Sequence, residues 1–187
     1  MVGADPSFTE THLVRTLLLM YKESLGRKKL VRLLGVGEGS VRTIIKRLTS
    51  EGLLSSSMTG HSLTGKGRRR VDGYLERFST PIPIEFPIVG GVKSMTVVYS
   101  ASSRLSSGVL ERDLAVKSGA DGAVILSYSD GRLVFPSAGD ELERFTEVFD
   151  LAGVSLSEGD VIVVSFADSY QRAEDAAVAI ALMLSDK

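Results

Sequence analysis

The chain has 187 residues, 43% of them hydrophobic and 24% charged, enough for one large domain or two small ones with separate cores. It contains no cysteine and two histidines, which excludes disulfides, thiol nucleophiles and zinc centres built on Cys or His. The net charge of -1 hides a split: residues 1–80 carry 14 basic and 7 acidic side chains, a balance of +7, and residues 81–187 carry 8 and 16, a balance of -8.

A basic first half attracts a phosphate backbone and an acidic second half is repelled by it. No apolar run approaches the roughly 20 residues that cross a bilayer. The start MVGADPSFTE lacks the basic-then-apolar layout of a secretion signal. A cytoplasmic protein without membrane contact is expected. Asparagine is absent and Gln171 is the single glutamine, a weak sign of a hot habitat.

Ser7-Phe8-Thr9-Glu10 has the spacing of a capping box and predicts a helix start. Leu13, Leu17, Leu18 and Met20–Tyr21 give that helix one apolar stripe over about four turns, ending near Leu25–Gly26. A shorter helix follows, with Leu30, Val31, Leu33 and Leu34 inward and Arg27, Lys28, Lys29 and Arg32 outward. Gly35 is placed to leave it at positive φ.

The next segment, Gly35-Val36-Gly37-Glu38-Gly39-Ser40 and on to Leu48, joins that short helix to a second amphipathic one through a glycine-bearing turn. This is a helix-turn-helix layout. Val41, Ile44, Ile45 and Leu48 share one face. Gly39, Thr43 and Lys46 lie opposite, flanked by Ser40, Arg42 and Arg47: a short, hydroxylated, cationic surface that suits the major groove. Beyond Glu51-Gly52, residues 53–58 and 62–64 flank Met58-Thr59-Gly60-His61 as a small hairpin, the wing, with His61 expected at its exposed tip. Thr64 caps a helix from Gly65 to about Phe78. Arg68, Arg69 and Arg70 crowd its first turn against the helix dipole, and an external phosphate is expected to offset them.

The run L-G-V-G-E-G-S-V-R-T-I-I-K-R-L, followed by E-G-L-L and L-T-G-K-G, resembles prokaryotic winged-helix regulators. Its G-E-G-S-V-R version resembles an uncharacterised archaeal family of predicted transcription regulators, in which this domain precedes a second one of unknown function. The run G-A-D-G-A-V-I-L-S-Y-S-D-G-R-L-V-F-P is similar to that second domain, and the resemblance implies no activity for it.

Residues 81–90 open with Pro81-Ile82-Pro83 and read as a proline-stiffened linker. Strands are expected at Met95–Tyr99, Ala123–Tyr128, Leu133–Phe135 and Asp160–Phe166. Helices are expected at Gly108 to about Ser118, Asp140 to about Leu151 and Ser169 to about Ser185, and Asp130-Gly131 signals a hairpin turn. The order β-α-β-β-α-β-α suggests a small α/β sandwich on a mixed sheet. Asp168 and Gln171 have capping-box spacing at a strand-to-helix junction, a place where such domains bind ligands, but the helix needs such a cap whether or not anything binds. The serine-rich stretch 100–108 with Arg104 suits a small anion, or equally a solvated loop. The last helix, apolar nearly all round from Ala176 to Leu184, must be buried on several sides.

Three patterns are decoys. Gly60 to Gly67 nearly spells a phosphate-binding loop but lacks its final Ser or Thr, which would be a magnesium ligand. Glycines 35, 37 and 39 follow a helix and lack dinucleotide-binding spacing. Asp121 and Asp130 sit beside glycines, where turns favour aspartate. His12 is expected to lie on a helix surface or pack locally.

The expected fold is a two-domain α+β chain: a winged helix-turn-helix at 1–80, a linker at 81–90 and an α/β sandwich at 91–187. The expected function is sequence-specific binding of double-stranded DNA by a homodimeric transcription regulator. Its contacts would be Gly39, Ser40, Arg42, Thr43, Lys46, Arg47, His61, Lys66, Arg68 and Arg69. The second domain would dimerise or bind a small-molecule effector through Ser103, Arg104, Ser107, Asp168 and Ser169. No catalytic residue, metal or cofactor is expected. The alternatives are an enzyme in the second half regulated by the first, or a winged helix used for protein contacts.

Overall fold

A computed structural model describes residues 8–58, 60–136 and 153–185. The chain is a mixed α+β structure in two compact units, Met1–Tyr74 and Leu75–Lys187. The first is mainly helical. The second is an antiparallel sheet with helices. No described helix is long and apolar enough to cross a membrane.

In the first unit α1 spans Glu10–Leu19, with Thr9 as its N-cap. The Thr9 amide donates to Nδ1 of His12 at 3.0 Å, so an imidazole performs the capping role expected of a glutamate side chain. The helix stops six residues short of Leu25. There the chain becomes extended, and Leu25 and His61 exchange backbone hydrogen bonds of 2.9 and 3.0 Å. A two-stranded hairpin is marginal alone, and Leu25 covers part of one edge while burying its own side chain. Helix α2 (Arg27–Leu34) ends at Gly35, whose φ of 70° is the left-handed value expected there. Helix α3 (Glu38–Ser50) follows directly.

Strands β1 (Leu54–Ser57) and β2 (Gly60–Leu63) pair antiparallel with Ser57 opposite Gly60, which puts Met58 at the fully exposed turn. Helix α4 covers Gly65–Leu75. The Thr64 hydroxyl caps it, accepting the Gly67 amide at 3.0 Å.

The second unit holds one five-stranded sheet built from β3 (Ile82–Pro83), β4 (Val92–Val98), β5 (Gly122–Ser129), β6 (Arg132–Val134) and β7 (Val161–Ala167). Their order across the sheet is β3-β4-β7-β5-β6, and every neighbouring pair is antiparallel. This corrects the expected mixed sheet. A β-α-β run suggests parallel neighbours; here β4 and β5 do run parallel, but β7 enters between them and opposes both.

The stretch that reads as a linker is partly sheet. Ile82 and Pro83 pair with Met95 and Ser94, and the Ser79 amide reaches the Val97 carbonyl at 2.8 Å. An edge strand tolerates proline because one side of it needs no donors.

Helices α5 (Val109–Lys117) and α6 (Tyr170–Ser185) pack on one face of the sheet. There Ser165 donates its hydroxyl to the Ala173 carbonyl of α6 at 2.6 Å. The other face carries Met95, Leu126, Ile162 and Val164, covered by Ile84, Phe86 and the partly buried Val89, Val154 and Leu156. The helix expected over 140–151 lies outside the described residues.

Candidate nucleic-acid interface

Helix α3 is one-sided. Val41, Ile44, Ile45 and Leu48 are buried, whereas Gly39, Arg42, Thr43, Lys46 and Arg47 are exposed and Ser40 is half-buried. At 3.6 residues per turn, Gly39, Thr43, Lys46 and Ser50 form a single outward row. The Thr43 hydroxyl is turned back onto the Gly39 carbonyl at 3.0 Å, which keeps the row low. Arg42 reaches Glu38 at 3.8 Å and Arg47 reaches Glu51 at 3.1 Å. Both are exposed i,i+4 pairs, weak enough for a competing anion to displace. Lys46 has no ion-pair partner among the described residues.

His61 does not sit at the hairpin tip, and that expectation is corrected. It lies within β2, half-buried, its backbone tied to Leu25 and its Nδ1 within 2.8 Å of the Ser56 hydroxyl. Burial, and then the Arg27 charge, holds its imidazole below the ordinary value of 6.5. Among the described residues the turn carries Met58, an exposed apolar side chain.

Helix α4 uses two of its three expected contacts internally. Lys66 donates from Nζ to the Glu51 carbonyl at the end of α3, 2.8 Å away. A cation there complements the negative end of that helix. The Arg68 guanidinium lies 5.3 Å from the Tyr21 ring centroid, and the Tyr21 hydroxyl donates to Asp72 at 2.8 Å. That hydrogen bond and the Asp72 charge raise the phenol above its usual 10.0. Arg69 remains exposed, as does Arg70. The run resembling a phosphate-binding loop is a hairpin strand followed by this capped helix. The Thr64 hydroxyl is occupied by the Gly67 amide and the Gly52 carbonyl.

The residues suggested for an effector are not brought together. The Arg104 guanidinium binds the Leu184 carbonyl through Nε, and Arg77 reaches the Ser185 carbonyl at 3.4 Å, so both arginines cap the end of α6. Asp168 and Ser169 stand at its beginning, where Asp168 pairs with Arg172 at 3.0 Å and the Ser169 carbonyl accepts the Ala173 amide. Sixteen helical residues separate the two ends by about 24 Å. Ser103 and Ser107 are exposed.

Sequence reasoning missed Leu25 as a partner of the hairpin and Arg27 as a neighbour of His61. Leu25 pairs through an isolated bridge, and one extended residue leaves no periodic signal in the sequence.

Residues 89–184 match the family model described as Domain of unknown function (DUF4443), and residues 10–69 match the PH0730-like, N-terminal domain. The chain is similar to the solved structure of the hypothetical protein PH0730 from Pyrococcus horikoshii OT3. The two share 31% sequence identity at a TM-score of 0.83, over 95% of this chain and 93% of that one. No curated protein matches.

Proposed function

The chain belongs to the DUF4443 family, with a PH0730-like N-terminal domain ahead of the family domain, and we propose that it is a double-stranded DNA-binding transcription regulator. The first unit acts as a winged helix: α3 enters the major groove and the β1–β2 hairpin follows the adjacent backbone. The observation that carries this is the outward row Gly39, Thr43, Lys46 and Ser50. It is flanked by Arg42 and Arg47 and set opposite a buried Val-Ile-Ile-Leu stripe. Short side chains let a helix approach base edges, and the cations beside them meet phosphates. Of the remaining cations, Arg69 is free to join them; Lys66 and Arg68 support the fold. The protein works in the cytoplasm as a homodimer, and the acidic second unit stands away from the duplex and serves dimerisation or an effector.

The test is binding of the full chain to a labelled mixed-sequence duplex, by fluorescence anisotropy, across a salt series. Wild type binds more weakly as salt rises. The Arg42→Ala, Lys46→Ala double variant binds more weakly still, with a salt slope lower by about two if both contacts are to phosphate. No binding at the lowest salt would overturn the function and favour a winged helix that contacts protein. An unchanged double variant would remove α3 as the reading element.

A further inference from the structure

We propose that α5 is the self-association surface: two copies pack their α5 helices antiparallel about a twofold axis passing between Arg112 and Asp113. This deepens the homodimer aspect of the reading above and takes nothing from its DNA-binding aspect.

Helix α5 is short and shows much apolar surface to solvent: Val109, Leu110 and Val116 are 48%, 61% and 53% exposed. Its inner side is held by Glu111 and Ala115. The outward stripe reads Val109, Arg112, Asp113, Val116, at the three- and four-residue spacing that lines up one face of a helix. In order it is apolar, basic, acidic, apolar. Rotation about an axis between 112 and 113 puts Val109 on Val116 of the second copy and Arg112 on Asp113 of the second copy, twice over. A parallel pairing in register would set Arg on Arg and Asp on Asp. The stripe is therefore self-complementary in one orientation, as an isologous contact requires.

The surface beside the stripe fits the same arrangement. An open groove of about 630 Å³ runs along the C-terminal half of α5, lined by Val116, Lys117, Asp121 and Phe166 among others. Antiparallel packing delivers Val109 and Leu110 of the second copy to that end. The exposed Val116 is the apolar side chain that meets them there. A helix of nine residues is about 13 Å long, so the contact is small and the dimer dissociates in the micromolar range.

Sedimentation velocity of the full chain without DNA, from about 1 to 200 μM, tests this, with circular dichroism melts as a check on folding. Wild type shows a concentration-dependent monomer–dimer equilibrium. Leu110→Asp, Arg112→Asp and Asp113→Arg each weaken it by about tenfold or more, because they bury a charge or set like charges together. The double exchange Arg112→Asp, Asp113→Arg restores it to within about threefold, since each new pair is again opposite in sign. Arg112 and Asp113 also pair within one chain at 3.6 Å, and the double exchange restores that pair too. The deciding arm therefore mixes the two single variants: Arg112→Asp and Asp113→Arg chains associate with each other better than either does with itself, which a role within one chain does not produce. The proposal is overturned by a monomer at every concentration, by a dimer indifferent to all three single changes, or by a double exchange no better than either single one. Duplex binding is read in a separate assay, so loss of either idea leaves the other standing.

Discussion

Gly67 of α4 lies so close to the backbone of Leu53 that a Cβ on the glycine would overlap the Leu53 carbonyl oxygen. The first turn of α4 is thereby seated on the residue that leads into β1. Gly67→Ala has to push these backbones apart, which costs about 1–3 kcal/mol, more than the gain in helix propensity. Gly73, in the same helix, meets nothing within 4 Å, and Gly73→Ala stabilises by about 0.5–1 kcal/mol. Urea melts of the two variants should move in opposite directions. A shift in the same direction would contradict the close approach.

Gly39 separates surface function from stability. A Cβ there meets nothing within 4 Å, so Gly39→Leu leaves the fold intact. It also raises the centre of the α3 surface by a bulky side chain, and if that surface enters a groove, duplex affinity falls by about tenfold or more at constant salt. Anisotropy titrations of a folded Gly39→Leu protein with wild-type affinity would speak against α3 as the groove-facing element.

His61 makes the first unit sensitive to acid. Its folded pKa lies below 6.5, so the neutral ring is favoured in the fold. The stability it contributes is complete above 6.5 and is lost as pH falls from there through the lowered folded value. Proton NMR of the imidazole should give a midpoint under 6.5. Arg27→Ala should bring it only some of the way back, because burial is the larger cause and the arginine the smaller. Full recovery in that variant would reverse the order of the two causes.

Arg104 is a structural cation. Arg104→Ala removes the donor to the Leu184 carbonyl at the end of α6 and to the Tyr99 carbonyl, and should cost about 1–2 kcal/mol. Ser103→Ala, one residue away and exposed, should change stability by less than about 0.5 kcal/mol. Chemical denaturation of both variants checks the contrast, and equal midpoints would remove the capping role.

What the sequence reveals here is local, and what it conceals is partnership. The inward face of α3 is legible because burial on one side imposes the helical period on Val41, Ile44, Ile45 and Leu48. Asp130-Gly131 is legible because few dipeptides accept two successive left-handed residues, and their φ values are 51° and 76°. Nothing near Arg104 states that its partner lies 80 residues along the chain, so a cap and a ligand site read alike. The pairing of Leu25 with His61 is hidden for the same reason: a single extended residue has no period. Ile82–Pro83 is hidden differently, since proline argues against a strand everywhere except at an edge. For the surface of α3 the residue types are legible. Which arginines and lysines are already engaged elsewhere becomes visible only with Tyr21 and Glu51 in place.

The position of β7 bears on how the second unit is made. Val161–Ala167 hydrogen-bonds to β4 on one side and β5 on the other, yet it leaves the ribosome after every other described strand of the sheet. Until it emerges, β4 and β5 are two separate fragments that share no ladder, and a chain halted before Val161 has no sheet to complete. Assembly of this half must wait for Val161–Ala167, while the first seventy-four residues form a separate compact unit that can fold earlier in synthesis.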